Sequence, residues 1–212
     1  MSTPPNRRVL KRLATRQSIS DVATRLFWER GFDNVTVDDI AAAADVGRMT
    51  VFNYFPRKED MFFDRDEEGR AFLREVLRQR DPALSPLETL RQLAHRLIAE
   101  RAPYVDFSEQ SESFIKTIEG SSTLKARVRS IRDELTQVLA LAFSQSAGRE
   151  GDDPDAHLAA ELVLATWAAA FVQAHKVFRS TRNPDAAQTV FLDLIDKGAA
   201  GQMAAMAHTP YA

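Results

Sequence analysis

Residues 36–58 constrain the fold of this chain more than any other segment. They predict two short helices joined by a tight turn, and the second helix carries a mixed basic, polar and aromatic face. This order of elements is typical of a helix-turn-helix, in which the second helix enters the major groove of DNA. An ordinary helical hairpin with a solvated polar face has the same pattern, so the segment alone leaves both interpretations open.

The start of the first helix is predicted by its capping residues. Thr36 and Asp39 have the spacing of a capping box, in which the hydroxyl accepts a hydrogen bond from the Asp39 amide and the carboxylate reaches back to the Thr36 amide. Val35 and Ile40 have the spacing of a hydrophobic staple across the same end. These local signals predict a helix that begins just after Thr36.

The second helix divides into a buried set and an exposed set. Its apolar side chains are predicted to face the core: Val51, Phe52 and Phe55. The side chains that remain outside are candidates for contacts with base edges in the groove: Arg48, Met49, Thr50 and Asn53. Arginine can pair with guanine and asparagine with adenine, while methionine or threonine can touch a thymine methyl group.

The N-terminal segment is basic although the whole chain is not. Residues 1–60 contain ten Lys or Arg and eight Asp or Glu, a net charge of +2, whereas the chain has a net charge of −2 and a pI of about 6.1. Five basic residues precede the first acid: Arg7, Arg8, Lys11, Arg12 and Arg16. A basic segment next to a recognition helix is expected where a protein contacts phosphates. Met1–Asn6 is predicted to be disordered.

Residues 15–62 resemble the DNA-binding domain of the tetracycline-repressor (TetR) family. The similarity follows a predicted amphipathic helix over residues 19–27, its end at Gly31, and the helix-turn-helix, in matching order and spacing. The resemblance implies an all-α homodimer with a three-helix DNA-binding domain at residues 1–56 and a ligand-binding and dimerisation domain at residues 57–212. Members are mostly bacterial, one-component repressors that a small molecule releases from a double-stranded DNA operator.

The resemblance also implies which residues contact the DNA backbone. Three residues stand at matching positions of the motif: Thr36, Tyr54 and Lys58. The basic segment adds Arg12 and Arg16 as candidate phosphate contacts. The chain departs from the family pattern at Asp45 in the turn, at Gly47 in place of a Ser or Thr cap, and at Phe52 in place of a tyrosine. Gly47 and Phe52, which lacks the tyrosine hydroxyl, keep open the alternative of a helical ligand-binding protein that has lost DNA binding.

The remainder of the chain is predicted to be helical. Proline and capping signals at Ser85-Pro86, Asp153-Pro154 and Asn183-Pro184 start three helices. With further helices at residues 57–79, 108–119 and 122–147, the all-α chain is expected to contain about nine. The helix at 154–180 is apolar nearly all round, which predicts burial on several sides. A homodimer formed through helices near 154–180 and 184–207 is favoured over a single central core helix.

The candidate effector pocket follows from the family architecture. Aromatic and histidine side chains on the central helices are its expected lining: His95, Tyr104, Phe107, Phe114, Trp167, Phe171 and His175. Aromatic residues at helical spacing more often form a core than a pocket, so each assignment has a simple structural alternative. The mixture would suit a largely apolar or aromatic effector with one or two polar groups.

Several functional classes are disfavoured by what the sequence lacks. The four histidines form no Glu-x-x-His pair, and no phosphate-binding glycine loop, nucleophile elbow or zinc motif occurs, so neither an enzyme nor a metal or cofactor is expected. The absence of cysteine suits a reducing cytoplasm. The longest nearly unbroken apolar run has eleven residues, Leu162–Val172, short of the ~20 that span a bilayer. An activator, or a regulator controlled by a protein partner, remains the alternative within the same fold.

Overall fold

The computed structural model describes residues 7–149 and 152–212. These residues form a 3₁₀-helix at Phe32–Asn34 and ten α-helices, and they contain no strand, which confirms the all-α prediction. The helices are α1 (Arg7–Arg30), α2 (Val37–Ala43), α3 (Arg48–Tyr54), α4 (Glu59–Phe62), α5 (Asp66–Arg78), α6 (Pro86–Ala99), α7 (Glu109–Gly120), α8 (Ser122–Ser146), α9 (Pro154–Thr181) and α10 (Pro184–Ala205). The predicted disorder of Met1–Asn6 lies outside the described residues.

The chain divides into two compact units. The N-terminal unit comprises Met1–Asp66 and Ser113–Arg127, and the C-terminal unit comprises Glu67–Glu112 and Val128–Ala212. The predicted division at residues 56 and 57 therefore comes about ten residues too early along the chain, and it misses a second segment of the N-terminal unit. Helices α7 and α8 each contribute residues to both units.

The core of the N-terminal unit explains why it includes part of α7 and α8. Phe27 of α1 lies 4.8 Å from the ring of Phe32 and 6.1 Å from the ring of Phe62, measured between ring centroids. Phe114 of α7 stacks on Phe62 at 4.5 Å, and Leu124 of α8 is fully buried in the same cluster. The first three helices therefore need these later residues to complete their core.

The helix start at Thr36, the helix end at Gly31 and the turn at Asp45 are formed as the local sequence predicts. Thr36 and Asp39 form the predicted capping box, with both reciprocal hydrogen bonds present. Gly31 ends α1 at a φ of 81°, and Asp45 in the turn has a φ of 52°. Glycine has no Cβ to clash in this region, and aspartate tolerates it better than most residues do.

The predicted helix at residues 57–79 is interrupted, which is why the structure has ten α-helices. Helix α4 ends at Phe62 and α5 begins at Asp66. Between them, the Asp64 carboxylate accepts a hydrogen bond from the Ser20 hydroxyl at 2.5 Å, and the Asp64 carbonyl accepts one from Arg16 at 2.9 Å. Because these contacts attach the segment to α1, tertiary structure outweighs the helical preference of the local sequence.

In the C-terminal unit, α10 packs along α9 and against α6. The 28 residues of α9 include a window with a mean hydropathy of 1.3, so length and composition alone would let this helix cross a membrane. The longest nearly unbroken apolar run in the sequence, eleven residues, therefore underestimates how long the apolar part of this helix is. Core helices of soluble proteins can have the same length and hydropathy. In this structure α9 also carries a charged residue, Glu161, which pairs with Arg132 of α8 at 2.8 Å.

A C-terminal tyrosine closes one end of this unit. Tyr211 is fully buried, and its hydroxyl donates a hydrogen bond to the Asp153 carboxylate at 2.6 Å. Asp153 also pairs with Arg149 at 2.7 Å and accepts from the Asp155 amide as the N-cap of α9. The Tyr211 hydroxyl, followed by the Arg149 guanidinium, lowers the pKa of Asp153 to about 2.

This depressed pKa predicts a specific pH dependence. Because folding lowers the pKa of Asp153, its stabilisation is fully present above the unfolded-state value of about 3.9 and is lost as the pH falls towards 2. Asp153→Asn keeps an N-cap acceptor, so we expect it to lower the urea midpoint near neutral pH and to approach wild type below about pH 4. The exposed neighbour gives the control, Asp152→Asn, which should show no such convergence. A difference in urea midpoint between Asp153→Asn and wild type that stays constant with pH would contradict the lowered pKa of Asp153.

Candidate DNA-binding interface

The recognition helix α3 buries a narrower face than the sequence predicts. Val51 and Phe55 are buried in the core, as predicted, whereas Phe52 is only half-buried and Tyr54 packs against the core instead. Successive residues of a helix are separated by about 100°, so Phe52 and Tyr54 lie on opposite sides of the buried direction. Arg12 of α1 lies over the Tyr54 ring at 6.0 Å, which covers that side.

The four predicted groove residues all reach the surface of α3, to different extents. Met49 is the most exposed large apolar side chain described, at 71%, and Asn53 and Arg48 are also exposed, whereas Thr50 is half-buried. Gly47 caps the helix without a side-chain hydrogen bond. Met49, Asn53 and Arg48 therefore form the part of α3 that is free to enter a groove.

Arg48 is held by a residue that the sequence analysis did not identify. Its Nη1 lies 2.6 Å from the Asp38 carboxylate of α2, and its guanidinium lies 5.5 Å from the centre of the Phe52 ring. Asp38 and Arg48 are ten residues apart in two different helices, so no local pattern reveals the pair.

The predicted phosphate contacts are only partly available to DNA. The Thr36 hydroxyl accepts from the Asp39 amide and donates to the Asp39 carboxylate at 2.5 Å, so its hydrogen bonds serve the capping box. Arg16 lies 4.7 Å from the centre of the Phe55 ring and donates to the Asp64 carbonyl. Arg16 therefore braces the N-terminal unit, while Arg12 and Tyr54 remain near its surface.

Lys58 has a structural role that differs from the predicted phosphate contact. Its ammonium donates to the carbonyls of Phe32 and Val35, each at 2.9 Å, and lies 4.2 Å from the centre of the Phe32 ring. Burial lowers the pKa of Lys58, while the carboxylates of Asp33 and Glu59 oppose that shift. A contact with DNA would require this side chain to point to solvent, whereas the structure turns it inwards to bind the carbonyls beside the 3₁₀-helix.

The basic N-terminal segment is a helix. Helix α1 begins at Arg7, and its first buried residue is Ile19, so its first three turns extend from the packed part of the unit. The exposed basic residues of these turns are Arg7, Arg8, Lys11 and Arg12. Their positive charge is thus arranged along a helix on the side of the unit where Arg12 approaches Tyr54.

Four of the seven predicted pocket residues come together in the C-terminal unit. Phe107 lies 5.1 Å from His175 and 6.3 Å from Phe171, and Trp167 lies 6.4 Å from Phe171, measured between ring centroids. Phe191 of α10, which was not predicted, packs against Phe171 at 5.1 Å. These rings pack against one another as an aromatic cluster.

The other three predicted pocket residues lie elsewhere. His95 contacts the Asp196 carboxylate at 2.8 Å, and Tyr104 stacks on Phe72 at 5.1 Å. Phe114 belongs to the core of the N-terminal unit, apart from the four residues that come together in the C-terminal unit. The sequence shows that these residues are aromatic or titratable, and helical spacing places them near apolar faces. It does not show which other helix each face contacts.

A small, partly open space lies beside Trp167 of the aromatic cluster. Its volume is about 10 Å³, roughly the size that holds one water molecule. Polar groups from three helices reach it, and they were not predicted: Arg91, Thr166 and Gln202. Gln202 donates to the Leu162 carbonyl at 3.0 Å and to the Thr166 hydroxyl at 2.6 Å. Between α6, α9 and α10 there is therefore room for about one water molecule and not for an effector.

Comparison with known proteins identifies the N-terminal part of the chain. Residues 19–64 match the family described as bacterial regulatory proteins, tetR family. The chain is 50% identical over 48 residues to a provisionally named mycofactocin biosynthesis transcriptional regulator, MftR, of Mycobacterium tuberculosis, over 23% of this chain and 24% of that protein. It is 31% identical over 80 residues to the uncharacterized HTH-type transcriptional regulator YhgD of Bacillus subtilis, over 38% of this chain and 40% of YhgD. The matches thus span less than half of either relative.

Solved structures share the fold of nearly the whole chain. A TetR-family regulator from Mesorhizobium loti superposes with a TM-score of 0.58 at 19% identity, covering 95% of this chain and 98% of that one. FadR of Thermus thermophilus, solved in complex with lauroyl-CoA, gives a TM-score of 0.54 at 22% identity, covering 89% and 93%. At these identities the likeness shows the fold alone.

Proposed function

The chain carries the DNA-binding domain of the TetR family of transcriptional regulators, and from this we propose that it is a repressor that binds a palindromic operator as a homodimer and is released by a small-molecule effector. The exposed face of α3 carries the proposal, since Arg48, Met49 and Asn53 project from a short helix whose opposite face is buried. The chain acts by binding DNA and not by catalysis.

The charge of the N-terminal unit supports contact with the DNA backbone. The first three turns of α1 present Arg7, Arg8, Lys11 and Arg12 to solvent, and Arg12 lies 6.0 Å from the centre of the Tyr54 ring at the end of the recognition helix. Phosphate contacts position a protein on the duplex, while contacts with base edges provide specificity. We therefore assign the phosphates to α1 and Tyr54, and the base edges to the outer face of α3.

The surface of α9 supports the proposed dimer. Exposed apolar residues recur along one side of this helix: Leu158, Ala165, Ala169 and Val172. Beside it, a groove of about 430 Å³ between α9 and α10 is lined by three apolar residues and five polar ones: Val177, Val190 and Leu194, with Gln173, Lys176, Ser180, Asp193 and Lys197. A second copy packed on this surface would bury it around a two-fold axis, and palindromic half-sites about 34–36 Å apart would match that symmetry.

The aromatic cluster supports an effector site in the C-terminal unit. Phe107, Trp167, Phe171 and His175 offer apolar rings with one titratable group, and a fold of this kind accommodates lauroyl-CoA in FadR of Thermus thermophilus. We propose that an effector opens this cluster. Because α7 and α8 contribute to both units, they are better candidates to transmit the change than the segment at 57–79, which is interrupted at residues 63–65. A preference of about 1–3 kcal/mol for one conformation would change operator affinity about 5–150-fold.

Selection of the purified protein against a random duplex DNA library tests the proposal. We expect enrichment of an inverted repeat, and we expect Asn53→Ala to reduce affinity for it by about tenfold or more through the loss of a base contact. Gln110→Ala, which removes an exposed amide from the C-terminal unit, is the control. No enrichment at low salt would refute DNA recognition and favour a ligand-binding protein that has lost it. A repeat located where it assists transcription would instead indicate an activator.

A further inference from the structure

The pair formed by Asp38 and Arg48 fixes a side chain at the N-terminal end of the recognition helix. Arg48 is the first residue of α3, the end from which a helix-turn-helix reads base edges. Its Nη1 lies 2.6 Å from one oxygen of the Asp38 carboxylate, although both side chains are largely exposed, at 58% and 62%. An exposed arginine would ordinarily sample many rotamers, so this contact selects among them.

The backbone of Asp38 belongs to a capped helix start. It lies in the first turn of α2, where Thr36 and Asp39 form the capping box. The Phe52 ring, whose centre lies 5.5 Å from the Arg48 guanidinium carbon, provides a second support for the guanidinium. Phe52 and Arg48 are four residues apart in α3 and so lie on the same side of that helix. The guanidinium is therefore supported both by a charge and by a ring.

The contact leaves most of the guanidinium available. An arginine has five N–H donors, and one hydrogen bond to Asp38 uses only one of them. The Nε and Nη2 edge can still donate two parallel hydrogen bonds, the geometry that recognises O6 and N7 of guanine. A carboxylate that engages the opposite end of the fork would orient this edge without blocking it.

Stability does not account for the pair. Ion pairs between exposed side chains contribute about 0–1 kcal/mol to folding. Near DNA, moreover, a carboxylate repels phosphates and so weakens nonspecific binding. A carboxylate in the first turn of α2 also interacts favourably with the helix dipole, but that interaction does not require the contact with Arg48, so the pair itself is explained best by its effect on Arg48.

We propose that Asp38 is a positioning residue that orients Arg48 to read a guanine in each half-site. The inference rests on the proposed function, since it requires the chain to recognise a DNA sequence. It assigns specificity to a carboxylate that need not touch the DNA, and it gives Phe52, the residue that departs from the family tyrosine, a supporting role beneath the guanidinium.

Library selection with matched variants tests the proposal. Asp38→Asn keeps the shape of the side chain and removes its charge, and Asp45→Asn removes a carboxylate from the same hairpin without a contact to Arg48. We expect Asp38→Asn and Arg48→Lys to reduce the preference for guanine at one shared position of each half-site by about tenfold. Nonspecific affinity for duplex DNA should be unchanged or higher in Asp38→Asn, and Asp45→Asn should retain the wild-type preference.

The outcomes separate this inference from the proposed function. If the wild type enriches an inverted repeat and Asp38→Asn enriches the same repeat with the same guanine preference, Asp38 has no positioning role and only the inference fails. Loss of specific and nonspecific affinity together, with a lower melting temperature, would show a structural role and would also overturn it. If the wild type enriches no sequence at all, both the proposed function and the inference are refuted.

Discussion

Gly198→Ala is expected to destabilise the C-terminal unit by about 1–3 kcal/mol, the usual cost of overpacking a core. A Cβ at this position would lie 2.2 Å from Cγ2 and 2.6 Å from Oγ1 of Thr166, across the contact between α10 and α9. Thr166 has a short, β-branched side chain with restricted χ1, and its hydroxyl is held by Gln202. The helices would therefore have to separate. Thermal denaturation followed by circular dichroism, at one protein concentration, measures the loss.

Gly69→Ala in α5 is the matched control for this substitution. Gly69 belongs to the same unit, and a Cβ there would meet no atom within 4 Å. Replacing a helical glycine by alanine without a clash is expected to stabilise by up to about 1 kcal/mol. The two variants share that gain, so the difference between them isolates the contact with Thr166. Recovery of stability in the double variant Gly198→Ala/Thr166→Ala would confirm the clash, and a stabilising Gly198→Ala would disprove it.

Arg127→Ala is expected to destabilise the N-terminal unit by about 3–5 kcal/mol, the range for breaking a buried ion pair. Arg127 is only 8% exposed, and its Nη2 lies 3.2 Å from the Asp66 carboxylate, while its Nε lies 3.5 Å from that of Asp60. Removing the guanidinium leaves two carboxylates that are largely buried without this positive charge. We expect the amides of α1–α3 to exchange hydrogen faster, and DNA binding to fall with them.

Two further variants separate charge from packing at this site. Arg127→Met keeps most of the buried aliphatic stem but removes the charge. The loss of unfolding free energy in Arg127→Met therefore measures the contribution of the charge, and the additional loss in Arg127→Ala measures that of packing. Arg129→Ala removes an exposed arginine two residues along α8 and should leave hydrogen exchange unchanged. Equal stability of Arg127→Ala and wild type would mean that the ion pairs contribute nothing to the stability of the N-terminal unit.

The features that could be predicted from the sequence depend on a few neighbouring residues. The capping box at Thr36 and Asp39 and the positive φ of Gly31 follow from side chains and backbone within one turn. The position of the recognition helix followed as well, because a helix-turn-helix combines several such local signals in one order. The outward direction of Met49 and Asn53 could be predicted from the helical period alone.

The features that could not be predicted depend on residues that are distant in the sequence. The break at residues 63–65 arises from Ser20 and Arg16 of α1, and Lys58 turns inwards because carbonyls at Phe32 and Val35 lie within its reach. Phe114 looks like a pocket residue on its own helix, yet it stacks on Phe62 within the core of the N-terminal unit. In each case the local pattern indicated an apolar or charged side chain, and the partner was set elsewhere in the chain.

The sequence by itself therefore determined that the chain is all-α, that its N-terminal part contains a helix-turn-helix that resembles that of the TetR family, and that Met49 and Asn53 point outwards from α3. Only the tertiary structure decided that residues 113–127 complete this domain, that Arg127 is buried against Asp60 and Asp66, and that Asp38 holds Arg48. The physical reason is that helix formation and capping are decided over a few residues, whereas ion pairs and core contacts form between segments that only folding brings together.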